Sequence, residues 1–272
     1  VTIKQEEAIT VTTGEDKVVF LDIDGTILNH RNRIPDPTRE AVRRLRENSV
    51  NVAIATGRAP FMFKDILKDL EIDSFVSFNG SYVVYKGEVI FDSPLAEKHL
   101  HKLENDAWSN EHPMVFLDHE TGRANHRSHE FIRQSMGSLE MPHPPHDPEF
   151  HKNRHIYQAL LFCEDHHEKY YYDNHLGFDY VRWHEKAIDV LPPGGSKAKG
   201  IEAMLEKLAI RPENTFAFGD GLNDVEMLRF VGTGVAMGNA AAETKQAADM
   251  ETDHVDEDGL FNGLVKLGLI SK

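Results

Sequence analysis

The chain predicts an α/β protein, with a doubly wound parallel-sheet core interrupted by an inserted α+β domain. Short apolar strands alternate with amphipathic helices toward both ends of the chain, and that alternation builds parallel sheets with helices on both faces. Between the ends the composition shifts. Fourteen of the 16 histidines, from His99 to His184, and both tryptophans, Trp108 and Trp183, fall in the middle. The expected organisation is a flexible leader over 1–16, a core over 17–81 and 188–272, and a cap-like insert over 82–187.

Each element follows from local pattern. Val18-Val19-Phe20-Leu21 is a short apolar run bounded by a turn signal, which predicts a buried strand over 17–22. Helix 37–48, strand 51–55, helix 60–70 and the short strand 75–78 follow. The insert opens with a hairpin, Tyr82–Tyr85 and Val89–Phe91, joined by Lys86-Gly87. A helical stretch from Pro94 and the strand Met114–Leu117 come next. Met141 to Pro148 holds four prolines in eight residues and must be a loop. Strand 156–163, a polar helix near 165–175, and strands near 179–183 and 187–191 complete the middle. Helix 196–208, strand 214–218, helix 222–230, strand 232–236 and helix 240–248 return to the flanking pattern.

Bulk composition excludes several functions. With 272 residues the chain is long for one domain and comfortable for two. It carries 30 basic and 45 acidic residues, a formal charge of −15, so no basic surplus exists to neutralise nucleic acid or an anionic membrane. A phosphorylated ligand would have to be held by local positive groups against this field. One cysteine, Cys163, rules out an intramolecular disulfide and fits a reducing, cytoplasmic setting. It lies in an apolar run and is expected to be a buried thiol. No apolar stretch is long enough to span a membrane. Residues 1–16 lack the basic start and apolar middle of a signal peptide. The pairs His166-His167 and His143/His146 lack zinc-site spacing and are expected to be solvated.

Chemistry concentrates at strand ends. The first strand runs into Asp22-Ile23-Asp24-Gly25-Thr26. Two acids at spacing two on an extended backbone point to opposite faces, so they share a site only if the chain bends after Asp22, which Gly25 favours. Val52-Ala53-Ile54-Ala55 runs into Thr56-Gly57-Arg58, and Phe216-Ala217-Phe218 into Gly219-Asp220-Gly221-Leu222-Asn223-Asp224. Gly194-Gly195-Ser196-Lys197 sets a lysine at a helix start. Helix capping and Asp-Gly turns account for each stretch alone. Ligands of open α/β sheets bind at the carboxyl ends of the strands, which gives the joint placement its weight.

Together these residue types suit phosphoryl transfer. A carboxylate can attack phosphorus, and Mg²⁺ between the two anions prefers hard oxygen ligands, with Asp22 and Asp220 the natural pair. Lysine, hydroxyl and backbone N–H groups can stabilise the equatorial oxygens, and a second carboxylate can protonate the leaving oxygen.

The pattern resembles the haloacid dehalogenase superfamily, specifically its Cof-like phosphatases with a type IIB cap. Asp22–Thr26, Thr56–Arg58, Lys197 and Gly219–Asp224 resemble its four motifs in order. Phe78-Asn79-Gly80, Val235–Ala240 and Asp258-Gly259 are similar to further subfamily features, so the resemblance covers about residues 17–270. Ala198-Lys199 after Lys197 departs from the usual glycine and makes Lys199 a competing candidate. The resemblance implies a Rossmann-like core with Asp22 as nucleophile and Asp24 as general acid/base. It implies Mg²⁺ held by the Asp22 and Asp220 carboxylates and the Asp24 carbonyl, with Asp224 as a further ligand or a support behind them. Thr56, Lys197 and Asn223, with the loops at Gly25 and Gly57, would bind the phosphate, under a mobile cap that meets the leaving group.

The implied function is a Mg²⁺-dependent phosphatase acting on small phosphorylated metabolites, such as sugar phosphates or nucleotide-like cofactors, through an aspartyl phosphate. A phosphomutase would use the same residues, although Gly221-Leu222-Asn223-Asp224 is more Cof-like. A dehalogenase has no alkoxide for Asp24 to protonate. A non-catalytic phosphometabolite-binding protein would not need every one of these residues. Nothing in the pattern selects the substrate or the oligomeric state, and Tyr170, Tyr171, Tyr172 and His184 are expected to be structural.

Overall fold

The computed structural model describes residues 17–272, and the expected leader over 1–16 lies outside the described residues. Thirteen strands and nine α-helices follow in chain order among them. They are β1 (Val18–Leu21), α1 (Asp36–Glu47), β2 (Asn51–Ala55), α2 (Lys64–Leu70), β3 (Phe75–Ser77), β4 (Tyr82–Tyr85) and β5 (Glu88–Asp92). Next come α3 (Glu97–Ser109), β6 (Met114–Leu117), β7 (Gly122–Ala124), α4 (Glu130–Ser138), β8 (Gln158–Leu161), α5 (Asp165–Asn174), β9 (Asp179–His184) and β10 (Ala187–Leu191). The chain closes with α6 (Lys197–Leu208), β11 (Thr215–Gly219), α7 (Val225–Phe230), β12 (Thr233–Ala236), α8 (Ala242–Ala247), β13 (Met250–Glu251) and α9 (Gly259–Lys266).

The chain divides into two units. Among the described residues the first comprises 17–53 and 209–272, the second 54–208, so the division falls inside β2.

In the first unit, strands β13, β12, β11 and β1 lie side by side in that order and run parallel. All four residues of β1 are buried, as a strand covered on both faces requires. Helix α1 begins with Asp36 and a proline in its first turn and carries Arg44 and Arg46 in its last, which suits the helix dipole. It buries Thr38, Ala41, Val42 and Leu45 at helical spacing. Register is the property that matters for the site: Val18 pairs with Thr215 and Leu21 with Phe218, so β1 and β11 end together.

In the second unit, Ile54 and Ala55 of β2 pair in parallel with Phe75 and Val76 of β3. The hairpin β4–β5 turns at Lys86 and Gly87, both at positive φ, 49° and 80°. It pairs antiparallel with β3 through Phe75–Val84 and Ser77–Tyr82. The hairpin expected to open the insert's own fold therefore extends the β2–β3 ladder instead. Its apolar runs about a glycine turn predict a hairpin but not the sheet it joins.

A second, antiparallel sheet takes the order β7-β6-β8-β10-β9. One face packs a core of Leu100, Leu103, Phe116, Leu161, Tyr171 and Val190 under α3 and α5. Strands β6 and β8 to β10 match the expected spans closely, and the proline-rich 141–148 stretch is a loop. Cys163 is buried, and burial pushes its thiol up to about 11, which leaves it inert. Among the described residues no helix is long and apolar enough to cross a membrane.

Candidate active site

The first unit gathers three carboxylates where β1 and β11 end. Asp22 donates its N–H to the Phe218 carbonyl at 3.0 Å, and the residue itself is buried at 5 % exposure. The chain then bends. Gly25 N–H donates to Leu28 O at 2.9 Å, while Ile27 and Leu28 return to Ile23 O at 3.0 and 2.7 Å. The bend leaves Asp24 exposed while Asp22 stays buried. Gly25 sits at φ +79°, and a Cβ there would lie 2.1 Å from Asp220 Oδ2. Both the left-handed turn and the approach of Asp220 therefore demand glycine.

Asp220 is oriented by its neighbours. Thr26 Oγ1 donates to its Oδ1 at a long 3.4 Å. Asn239 Nδ2 donates to its Oδ2 at 3.1 Å and to Gly25 O at 2.8 Å, while Asn239 Oδ1 accepts from Val255 N–H at 3.0 Å. Asn239 thus ties three loops together. Its Met237-Gly238-Asn239-Ala240 context was visible in the sequence, yet nothing there showed which groups it would meet. Asp224 is fully buried, and its Oδ2 accepts the N–H groups of both Asp220 and Gly221 at 2.9 Å. Gly219 permits this, because a Cβ there would lie 2.5 Å from the Asp224 carboxyl carbon.

One carboxylate oxygen from each of Asp22, Asp220 and Asp224 lies within 4.8 Å of the other two. Charges that close repel unless a cation offsets them. An all-oxygen, carboxylate-rich set fits Mg²⁺ and does not suit the softer metals that favour thiolate or imidazole. Asn223 is exposed in the turn between Asp220 and Asp224.

The second unit brings together Thr56, Gly57 and Lys197, neutral and basic candidates, by themselves. Thr56 is buried at the end of β2, where its N–H donates to Val76 O at 2.9 Å and its hydroxyl accepts Arg58 N–H at 3.1 Å. A Cβ on Gly57 would come within 3.0 Å of the Asn79 amide. Gly80, at φ +99°, has room only for hydrogen where a Cβ would lie 2.0 Å from Ser196 O. Thr56-Gly57, Asn79-Gly80 and the start of α6 are therefore in direct contact. Lys197, the first residue of α6, is 1 % exposed, whereas Lys199 is exposed. Lys197 is the buried lysine of the two candidates, and a lysine is held inside only for a partner.

The histidines divide. His146 and His166 are exposed, as expected of solvated positions, and His143 is partly covered. His112 and His151 are instead buried, with His112 Nδ1 2.6 Å from the Tyr171 hydroxyl and His151 Nε2 2.9 Å from Glu104 Oε2. Tyr171 is wholly buried by the same contact, and His184 Nδ1 meets Ser135 Oγ at 3.0 Å.

Parallel strands whose carboxyl ends gather a sharp bend and a carboxylate cluster are the arrangement of a ligand site in the α/β class. The chain belongs to the haloacid dehalogenase-like hydrolase family, whose pattern it matches over residues 19–264, and falls among the Cof-like phosphatases with a type IIB cap. It is 46 % identical to YkrA of Bacillus subtilis (strain 168), a candidate phosphatase by its name, over 94 % of this chain and 99 % of that protein. The crystal structure of a hypothetical protein from Geobacillus kaustophilus HTA426 superposes with a TM-score of 0.92 at 54 % identity, covering 93 % of this chain and 99 % of the other. The subclass IIB sugar phosphatase BT4131 superposes with a TM-score of 0.80 at 30 % identity, over 93 % of this chain and all (100 %) of that one. The protein is a phosphatase.

Proposed function

We propose that this phosphatase is Mg²⁺-dependent and works through a phosphoryl group carried on Asp22. The observation that carries the reading is the convergence of the Asp22, Asp220 and Asp224 carboxylates within 4.8 Å at the ends of β1 and β11. Asp22, Asp220 and Asp224, with the Asp24 carbonyl, would hold the metal. When bound, it supplies positive charge that offsets repulsion between an anionic nucleophile and an anionic phosphate.

The remaining steps belong to the chain. An Asp22 carboxylate oxygen forms a bond to phosphorus as the bond from phosphorus to the leaving oxygen breaks. Asp24, exposed and beside the nucleophile in sequence, gives that oxygen its proton. Water then attacks the acyl phosphate while Asp24 takes back a proton, releasing inorganic phosphate and restoring Asp22. Thr56, Lys197 and Asn223, with the backbone at Gly25 and Gly57, bind the phosphoryl oxygens. The part of segment 82–187 that follows β5, with the five-stranded sheet, acts as the cap that meets the leaving group and limits bulk water.

Phosphate release from a panel of sugar phosphates and nucleotide-like phosphates, with Mg²⁺ and with EDTA, tests the reading. Metal-dependent release is expected. Undiminished release in EDTA would overturn the metal dependence. Transfer of phosphate to a second sugar, seen by product analysis, would instead identify a mutase.

A further inference from the structure

Helix α3 carries Glu97, His101 and Glu104 at spacings of four and three, so all three line one side of the helix. Against them stands His151, from the stretch 139–157 that joins α4 to β8 without a helix or strand of its own. The proline-rich part of that stretch is pinned to β7, where Ala124 N–H donates to Pro145 O and Asp147 N–H to Ala124 O, each at 3.0 Å. Its later part is held by Phe150, buried in the core under α3, and by His151 beside it.

His151 is 2 % exposed, and its Nε2 lies 2.9 Å from Glu104 Oε2 and 3.2 Å from His101 Nδ1. His151 Nδ1 is buried without a hydrogen bond. A buried N–H needs an acceptor, so the ring proton sits on Nε2, where two acceptors face it. His101 Nδ1 is then a bare nitrogen, and His101 carries its own proton on Nε2, 3.5 Å from Glu97 Oε1. Lone pairs of His101, His151 and Glu104 thus converge on one point with a single proton among them. One ligand atom from each lies within 4.8 Å of the other two.

We propose that His101, Glu104 and His151 form a Zn²⁺ site that clamps the 139–157 connection to α3. Two imidazole nitrogens and one carboxylate oxygen are a set that Zn²⁺ accepts, with water completing a tetrahedron. Ligands bonded at about 2.0–2.1 Å to a tetrahedral ion stand about 3.3–3.4 Å apart. The 3.2 and 2.9 Å separations reach that spacing with shifts of about half an ångström or less. Glu97 supplies the outer carboxylate that orients a metal-bound histidine through its other nitrogen. Mg²⁺ and Ca²⁺ prefer oxygen shells and suit the pair of imidazoles poorly. When the metal takes the Nε2 lone pair, the His151 proton moves to Nδ1. That nitrogen has no acceptor, which sets the expected affinity near micromolar rather than picomolar. The site lies within the second unit and uses none of the carboxylates at the ends of β1 and β11. Two other clusters among the described residues, His30–His254–Asp256 and Glu164–His166–His167, are less covered, and Lys186 pairs with Glu164 in the second.

The test is calorimetric titration of Zn²⁺ into the full chain, stripped with EDTA, dialysed and held in excess Mg²⁺ to occupy the Asp22 cluster. One Zn²⁺ should bind with a Kd of about 1 µM or tighter, and saturation should raise the melting midpoint by about 3 °C or more. Co²⁺ in its place should show the visible absorption of a tetrahedral ion. His101→Gln keeps an amide oxygen to accept from His151 Nε2, so it retains the hydrogen bond while removing a ligand. It should melt with the metal-free parent and bind Zn²⁺ at least about 100-fold more weakly, with no tetrahedral Co²⁺ spectrum. Glu97→Gln, at an exposed position, should weaken binding by about tenfold. His166→Gln with His167→Gln should leave the site unchanged. Zinc-edge anomalous scattering from crystals of the parent should place the ion about 2.0–2.2 Å from all three ligands. A Kd weaker than about 100 µM, parent-like affinity in His101→Gln, loss of the site in the His166/His167 variant, or an ion seated elsewhere would each overturn the inference.

Discussion

Asp224 accepts the backbone N–H of Asp220 through the same carboxylate oxygen, Oδ2, that accepts Gly221 N–H, each at 2.9 Å. The carboxylate of one acid thereby sets the backbone that presents the other. Asp224→Ala should cost about 2–4 kcal/mol of stability, since hydrogen bonds to a charged acceptor are each worth roughly 1.5–3 kcal/mol and the donors would be left unmet. Urea denaturation reads that loss. The Mg²⁺ concentration giving half-maximal activity should rise by about 10–100-fold, the usual effect of losing a group that orients metal ligands. A variant as stable as the parent would show that the two bonds contribute little.

Asp22→Asn should remove turnover and keep the fold, because the amide preserves shape but is no nucleophile. Parent protein quenched in acid during turnover should carry a base-labile phosphoryl group on Asp22, visible by mass spectrometry. Residual activity in Asp22→Asn near the parent's would sink the covalent route.

Lys197 and Lys199 separate cleanly. Lys197→Ala should cost about 2–4 kcal/mol of transition-state stabilisation for every substrate, by analogy with the loss of an oxyanion donor. Lys199→Ala should leave kcat/KM within about twofold, since its side chain is exposed. Equal losses from the two substitutions would undo the assignment made from burial.

Acid stability should trace to His112. Burial holds its pKa down to about 4, against an ordinary 6.5. Between those values the unfolded chain takes up a proton that the folded chain refuses, so stability is intact above pH 6.5 and falls as pH drops toward 4. The difference corresponds to at most about 3 kcal/mol. Urea unfolding at pH 7.0 and 4.5 should show a smaller drop for His112→Gln than for the parent. Identical drops would assign acid lability to other groups.

Much of this was legible in the sequence because buried parallel strands write themselves as unbroken apolar runs. Val18–Leu21 and Phe216–Phe218 announced both the strands and the acids that follow them. What escaped notice was short or set at long range. The three residues of β7 owe their conformation to pairing with β6, as Ala124 does with Val115. Helix α4 was missed as well. Asn239 reaches Gly25, 214 residues away in sequence, and no local pattern encodes that meeting.

The pairing of β1 with β11 has a consequence for the order in which the protein acquires activity. Val18 leaves the ribosome about 200 residues before its partner Thr215. The whole second unit, residues 54–208, is made in the interval and contains the five-stranded antiparallel sheet with its core. It can fold as a body while β1 still lacks β11, because domains fold as units during synthesis and distant pairings bear the entropy of loop closure. Asp22 is thus made long before Asp220 and Asp224, the carboxylates it joins. A nascent chain stalled before residue 215 would hold Asp22 without Asp220 and Asp224, so the carboxylate cluster can close only after residue 224 has been made.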